Sequence, residues 1–218
     1  MMPAFSTRNS TAPPLDALTA PATSTVTVPT FGFGIMSSQP SLTERLAGYW
    51  SGARYEDLPQ PVVAMAKSVL LDTLAVGVRG AESEAAVATR KGITSALECS
   101  SGSASLWGTQ LSLPPSAAAL VNGTASHAYE FDDFGGCGHS GAVVVPAVCA
   151  MGERVHADGR SVLMALAAGY DVAARVTLGA GGYRAHNDLG WHSTGTCGTF
   201  GAAAGAARVM RSGRVDLP

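Results

Sequence analysis

Charge is scarce in this sequence. Asp, Glu, Lys and Arg make up 14% of its 218 residues, against about a quarter in an ordinary globular chain. Lysine occurs only at Lys67 and Lys91, and no Lys or Arg lies between Lys91 and Arg154. With a net charge of −2 and a pI near 6.2 the chain offers no field for a phosphate backbone, which argues against nucleic-acid binding. The four cysteines, Cys99, Cys137, Cys149 and Cys197, form no Cys-x-x-Cys pair, so neither a zinc knuckle nor a dithiol redox motif is expected, only unpaired thiols. Long apolar runs are missing too. Ala142 to Met151 is too short to span a bilayer, and the longer run after Ser161 is interrupted by Asp171 and Arg175. The first forty residues hold Arg8 and Asp16 as their only charges and no continuous apolar stretch, so no signal peptide is expected. These absences point to a cytoplasmic protein with no membrane partner.

What is present is apolar and small. Hydrophobic residues reach 46%, enough for a sizeable core, and the abundant Ala and Gly suggest closely packed helices. So little charge implies that more surface is covered than one small domain can cover, by a partner subunit or by further sequence. Residues 1–40 are rich in Ser, Thr, Pro and Ala and are expected to form a flexible segment. From 41 to 218 the signals are helical. Ser41 and Glu44 make a capping box ahead of Leu42, Leu46, Tyr49 and Trp50. A long helix follows Pro59 and Pro61 and runs to Val78, and another covers Glu82 to Leu97. Ser105 to Gly108 reads as a short extended segment. Helices are expected over Ser116 to His127, Ala142 to Val155 with Pro146 in its first turns, Arg160 to Leu178, and Thr194 to Met210. In the last, Gly alternates with Ala around Phe200, so another backbone can come close. No internal repeat is visible. The fold class is therefore all-α.

Against this background one stretch is polar. His127 to Pro146 gathers Glu130, Asp132, Asp133 and His139 with no basic residue among them, which suggests one wall of a polar pocket. His192, in Gly-Trp-His-Ser-Thr-Gly-Thr-Cys-Gly, leads into a Gly-rich helix start whose free N–H groups would seat an anion, beside an imidazole able to move a proton near neutral pH. A buried, capped helix with an incidental histidine would explain the same residues without chemistry. His127 reads as a helix-packing residue, His156 as surface, and His186 lies in a polar loop. A nucleophile elbow and a dinucleotide fingerprint are both missing. A divalent ion held by Asp132, Asp133, His139 and His192 is chemically possible, but no compact ligand spacing supports it, so no metal is expected.

Asn122-Gly123, Glu130-Phe-Asp-Asp, His139-Ser-Gly-Ala-Val-Val-Val-Pro, Gly169-Tyr170-Asp171-Val172 and Gly190-Trp191-His192 to Gly201, in this order, resemble the MmgE/PrpD family, which includes 2-methylcitrate dehydratase and cis-aconitate decarboxylase. The resemblance implies a helical domain, a smaller α/β lid, a homodimer, and cofactor-free chemistry on small polycarboxylates. It matches Glu130, His139 and His192 to pocket residues of the decarboxylase-like members. Family members continue beyond this point, through the lid and through lysines that help to bind carboxylates. The chain thus resembles the N-terminal portion, an Ala/Gly-rich helical domain that is incomplete and without its lid. The expected activity is that of a lyase. His139 and His192 transfer protons, Glu130 and Asp133 orient them or share protons, and Asp132, Ser193, Thr194 and Gly195 contact the substrate. An epimerase or isomerase of a related dicarboxylate, or a truncated helical module that dimerises without catalysis, would fit the same residues.

Overall fold

The computed structural model describes residues 39–212, so the flexible segment expected over 1–40 falls almost wholly outside the described residues. The described chain is helical apart from two very short strands, as the apolar periodicity requires. The helices are α1 (Leu42–Gly52), α2 (Gln60–Gly80), α3 (Glu84–Ala96), α4 (Pro115–His127), α5 (Ser140–Arg154), α6 (Gly159–Gly179), α7 (Gly182–Asp188), α8 (Ser193–Thr196) and α9 (Gly198–Met210). A 3-10 turn at Tyr55–Asp57 joins α1 to α2. Strands β1 (Ala104–Ser105) and β2 (Ser112–Leu113) pair antiparallel, Ala104 opposite Leu113; of the segment read as extended, Ser105 to Gly108, only Ser105 is in a strand, and Leu106 to Gly108 lead into the turn between the two.

Local chemistry sets most helix boundaries. The Ser41 hydroxyl accepts from the Glu44 N–H at 3.2 Å while the Glu44 carboxylate accepts from the Ser41 N–H at 2.8 Å, the reciprocal box expected at α1. Ser83 and Asp158 cap α3 and α6 in the same manner, each accepting from an N–H three residues on. Pro61 and Pro115 sit in first turns, where a missing N–H costs little. Pro146 differs from its expected place. α5 starts two residues early, at Ser140, so the proline lies inside the helix and leaves the Ala142 carbonyl without its i→i+4 N–H. α4 approaches at that point, and a side chain at Gly123 would sit 2.6 Å from that same carbonyl oxygen.

The centre of the fold is the crossing of α5, α6 and α9. A Cβ at Gly201 of α9 would lie 2.5 Å from the Gly169 carbonyl of α6 and 2.7 Å from Ala173 Cβ, and one at Gly205 would lie 2.6 Å from Val148 of α5. These helices touch backbone to backbone, as the Gly and Ala of the last helix suggested, and Val144, Val145, Val148, Leu166 and Val209 fill the seam without exposure. The expected Thr194–Met210 helix is divided at Cys197 into α8 and α9. On the outside, Trp50 of α1 donates to Asp171 of α6 at 2.9 Å, and Arg208 of α9 donates to the Ala53 carbonyl at 3.0 Å.

Two helices, α2 and α6, are long and apolar enough by length and composition to cross a membrane, a property the sequence reading denied to every run. In α6 half of that window is buried within the fold. In α2 only 22% is, and Met65, Leu71 and Val78 stand exposed.

The seam makes a quantitative expectation. Gly201→Ala overpacks backbone against backbone and is expected to lower stability by about 1–3 kcal/mol, whereas Gly48→Ala in α1, with nothing within 4 Å of the new methyl, raises it by about 0.5–1 kcal/mol. Thermal melts of the two variants beside the parent chain check the contrast.

Candidate functional site

The polar stretch begins where α4 ends. His127 is the last residue of α4. The chain then turns, with the Glu130 N–H bonded to the His127 carbonyl at 3.2 Å, and Glu130 takes a left-handed φ of +52°. A side chain with a Cβ adopts this conformation at a cost of about 1 kcal/mol or more, and such residues concentrate at functional sites. The turn folds Glu130 back over the helix end and aims Asp132 inward. Residues 135–138 then form a tight hairpin, with paired Gly135–Gly138 backbone bonds, that delivers His139 as the N-cap of α5. Gly138, at φ +115°, is needed there, since a side chain would meet Thr194 Oγ1 at 2.6 Å.

The outcome is two imidazoles held between two carboxylates. Asp132, whose side chain is fully buried, presents Oδ1 to His127 Nδ1 at 3.1 Å and Oδ2 to His139 Nδ1 at 3.3 Å. Glu130, 70% exposed, presents Oε1 to His127 Nε2 at 3.3 Å and Oε2 to His139 Nε2 at 3.4 Å. The two rings lie 4.5 Å apart between centroids, and the His192 ring is 6.4 Å from that of His127. Two neutral imidazoles bring two N–H groups to four N···O contacts. The ring of contacts is therefore complete only with additional protons or another cation.

His192 is the exposed N-cap of α8 and follows the exposed Trp191. Thr194 joins the two halves of the site, its Oγ1 accepting from the His139 N–H at 3.0 Å. Ser193 is buried, and its hydroxyl accepts from the Asn187 amide at 2.9 Å. The free amides expected at this helix start are largely spent. Gly195 and Thr196 both donate to the His192 carbonyl at 3.0 Å, and Ser193 reaches Asn187 Oδ1 at 3.4 Å.

Asp133 turns away from the tetrad into the core. Its Oδ1 accepts from the Gly141 N–H at 2.8 Å and its Oδ2 from the Tyr170 hydroxyl at 3.1 Å, so it anchors the first turn of α5 to α6. Burial pushes its pKa up, only partly offset by the Gly141 and Tyr170 hydrogen bonds, and burial together with Asp133 raises that of Tyr170.

Several readings change in three dimensions. His127 does not merely pack a helix; it faces both carboxylates of the cluster. Its place one turn before the acids was the only signal, and it does not say which way a turn will fold. His186 lies in α7 and not in a loop, its Nε2 2.7 Å from Thr196 Oγ1. The polar pocket is an open face, since Glu130 and His192 are exposed and the aromatics Phe131, Phe134 and Trp191 around it are exposed as well. Three cavities of about 270, 580 and 320 Å³ are lined by other residues; the first lies between α2 and α6. Compact ligand spacing, missing along the chain, exists in space, with one donor atom each of His127, Asp132 and His139 within 4.8 Å of one another.

The profile of the MmgE/PrpD N-terminal domain matches residues 44–216. Cis-aconitate decarboxylase of Homo sapiens is 31% identical over 179 residues, which cover 78% of this chain and 36% of that protein. The Mus musculus enzyme is 30% identical over 178 residues with the same coverage, and that of Aspergillus terreus 30% over 181 residues, 35% of its length. The chain thus spans about a third of the length of these curated relatives.

The Asp133 anchor gives stability a pH signature. Its folded pKa lies above the ordinary value of about 3.9, so the folded chain holds this proton more tightly than the unfolded one. The contribution is complete below that value and is lost as pH rises through the folded pKa. Denaturation across the acid range is expected to show this loss in the parent chain and to lack it in Asp133→Asn.

Proposed function

The chain belongs to the MmgE/PrpD family, and on that premise we propose that the His127–Asp132–His139–Glu130 tetrad and His192 form the proton-handling wall of a lyase acting on a small polycarboxylate. Cis-aconitate decarboxylation is the favoured reaction, because the relatives that match this chain are named for it. The carrying observation is the pair of imidazoles between Asp132 and Glu130, with a third imidazole 6.4 Å from the first. Decarboxylation breaks the carbon–carboxyl bond, releases carbon dioxide and leaves the electron pair on carbon, where a proton has to be delivered. An imidazolium does this near neutral pH. In this reading His139 and His192 carry the proton and touch the substrate. Asp132 holds the two Nδ1 atoms, Glu130 exchanges protons with the two Nε2 atoms, and Asp133 keeps the first turn of α5 in place beneath His139. Thr194 fixes the backbone of His139, and Ser193 and Gly195 shape the turn that presents His192.

The tetrad contains no Lys or Arg. Arg79 reaches the stretch by stacking over Tyr129, its guanidinium carbon 5.2 Å from the ring centroid, and in this reading it is a candidate to meet a substrate carboxylate. We read the exposed face of α2 as covered in the working enzyme, in keeping with a cytoplasmic homodimer, and no cofactor is required by this chemistry.

The test is turnover of cis-aconitate and of citrate-like acids, followed by proton NMR, with the parent chain and with a version carrying the lid-forming continuation of a relative. His139→Ala and His192→Ala are each expected to lower kcat by about 100-fold or more. Turnover that survives both substitutions defeats the assignment, and a product that keeps every carboxyl group reassigns the reaction to dehydration or isomerisation.

A further inference from the structure

The four contacts of the tetrad differ in kind. Glu130 lies at the surface and faces Nε2 of both rings, whereas the buried carboxylate of Asp132 faces Nδ1 of both. When Glu130 accepts the two Nε2–H groups, each neutral ring turns an Nδ1 lone pair toward a carboxylate that has only lone pairs to return. The mismatch is visible. It shows on the His139 side, where Asp132 Oδ2 and His139 Nδ1 lie 3.3 Å apart, both buried, with no hydrogen bond to either, whereas Asp132 Oδ1 and His127 Nδ1 are within hydrogen-bond distance at 3.1 Å, in a sense set by the tautomer. Buried acceptors that converge without a donor are costly unless a cation lies between them.

We propose that this face binds a divalent transition ion of the zinc class, held by Nδ1 of His127, Nδ1 of His139 and the carboxylate of Asp132. The three donors already lie within 4.8 Å of one another and come from the end of α4, the turn after it and the N-cap of α5. Two imidazoles and a carboxylate suit Zn²⁺, Fe²⁺ or Co²⁺ and leave coordination positions for water. Glu130 supplies the outer support that ligating imidazoles require, a carboxylate on the far ring nitrogen that selects the Nε2–H tautomer. Thr194 adds a second restraint through the His139 backbone. A bound ion takes the imidazole lone pairs and so blocks proton transfer. That inhibitory consequence rests on the proposed lyase reading, whereas binding itself does not.

The experiment uses the full chain stripped with a chelator and titrated with Zn²⁺ by calorimetry and with Co²⁺ by visible absorption. One ion per chain is expected. His139→Ala and Asp132→Asn weaken uptake by about 100-fold or more and Glu130→Gln by about 10–100-fold, while His156→Ala and His186→Ala leave it unchanged. Circular dichroism establishes that each variant is folded, and His127→Ala, at a partly exposed ring, replaces Asp132→Asn should that variant unfold. No uptake by the folded parent chain, or uptake that survives His127→Ala and His139→Ala, overturns the proposal. Cis-aconitate turnover is measured separately with and without Zn²⁺. A lid-bearing version that is active but takes up no ion sinks the metal site alone, and one that binds zinc but is inactive when stripped sinks the lyase reading alone.

Discussion

Backbone contact at the crossing of α6 with α9 is the constraint on which the rest of this structure depends. Gly169, Gly201 and Gly205 have no Cβ, so the two helices close to a distance that any larger residue would prevent, and Val144 and Val148 of α5 complete the seam. The site inherits its geometry from that seam. α5 carries His139 at its N-cap, and α8, which leads directly into α9, carries His192 and Thr194. Only because α5 and α9 are locked together does Thr194 Oγ1 meet the His139 N–H at 3.0 Å. Small side chains distant from the imidazoles therefore govern how the imidazoles meet.

Scarcity of charge acts in the same direction. Without a Lys or Arg anywhere between Lys91 and Arg154, the acids of this segment have no local cation to pair with. A carboxylate buried without a partner is strongly disfavoured, so the chain finds partners of other kinds. Asp132 lies between two imidazoles and is within hydrogen-bond distance of that of His127. Its neighbour Asp133, pointing to the opposite side of the same backbone, takes the amide of Gly141 and the hydroxyl of Tyr170. One acid thus serves the site and the next the scaffold, although adjacent residues of the same type look alike in sequence.

Much of the scaffold was legible because its causes are local. The Ser41–Glu44 box, the prolines at the starts of α2 and α4, the apolar stripes of α2 and α6 and the Gly–Ala texture of α9 each follow from interactions spanning a turn or two, and the structure reproduces them within a few residues. Pro146 was harder, because its effect depends on where α5 begins, and that start is set by the hairpin before it. The apolar length of α6 was missed, since Asp171 and Arg175, which interrupt its run along the sequence, pair on one face of the helix. The motifs shared with the MmgE/PrpD family were also readable, since residue identity and order carry them.

By itself, then, the sequence determined an all-helical chain, the stretch in which its chemistry is concentrated, and the family to which it belongs, because helix periodicity, capping and motif order are encoded between near neighbours. The tertiary structure alone decided that His127 joins His139, that Asp132 faces both rings while Asp133 faces neither, and that the first-turn amides of α8 are largely spent. Those outcomes depend on the left-handed turn at Glu130, the hairpin at 135–138 and the glycine seam between α6 and α9. The seam joins segments far apart in the chain, a pairing settled by how whole helices pack; the turn and the hairpin are local, but the contact of the His139 N–H with Thr194, 55 residues on, is not.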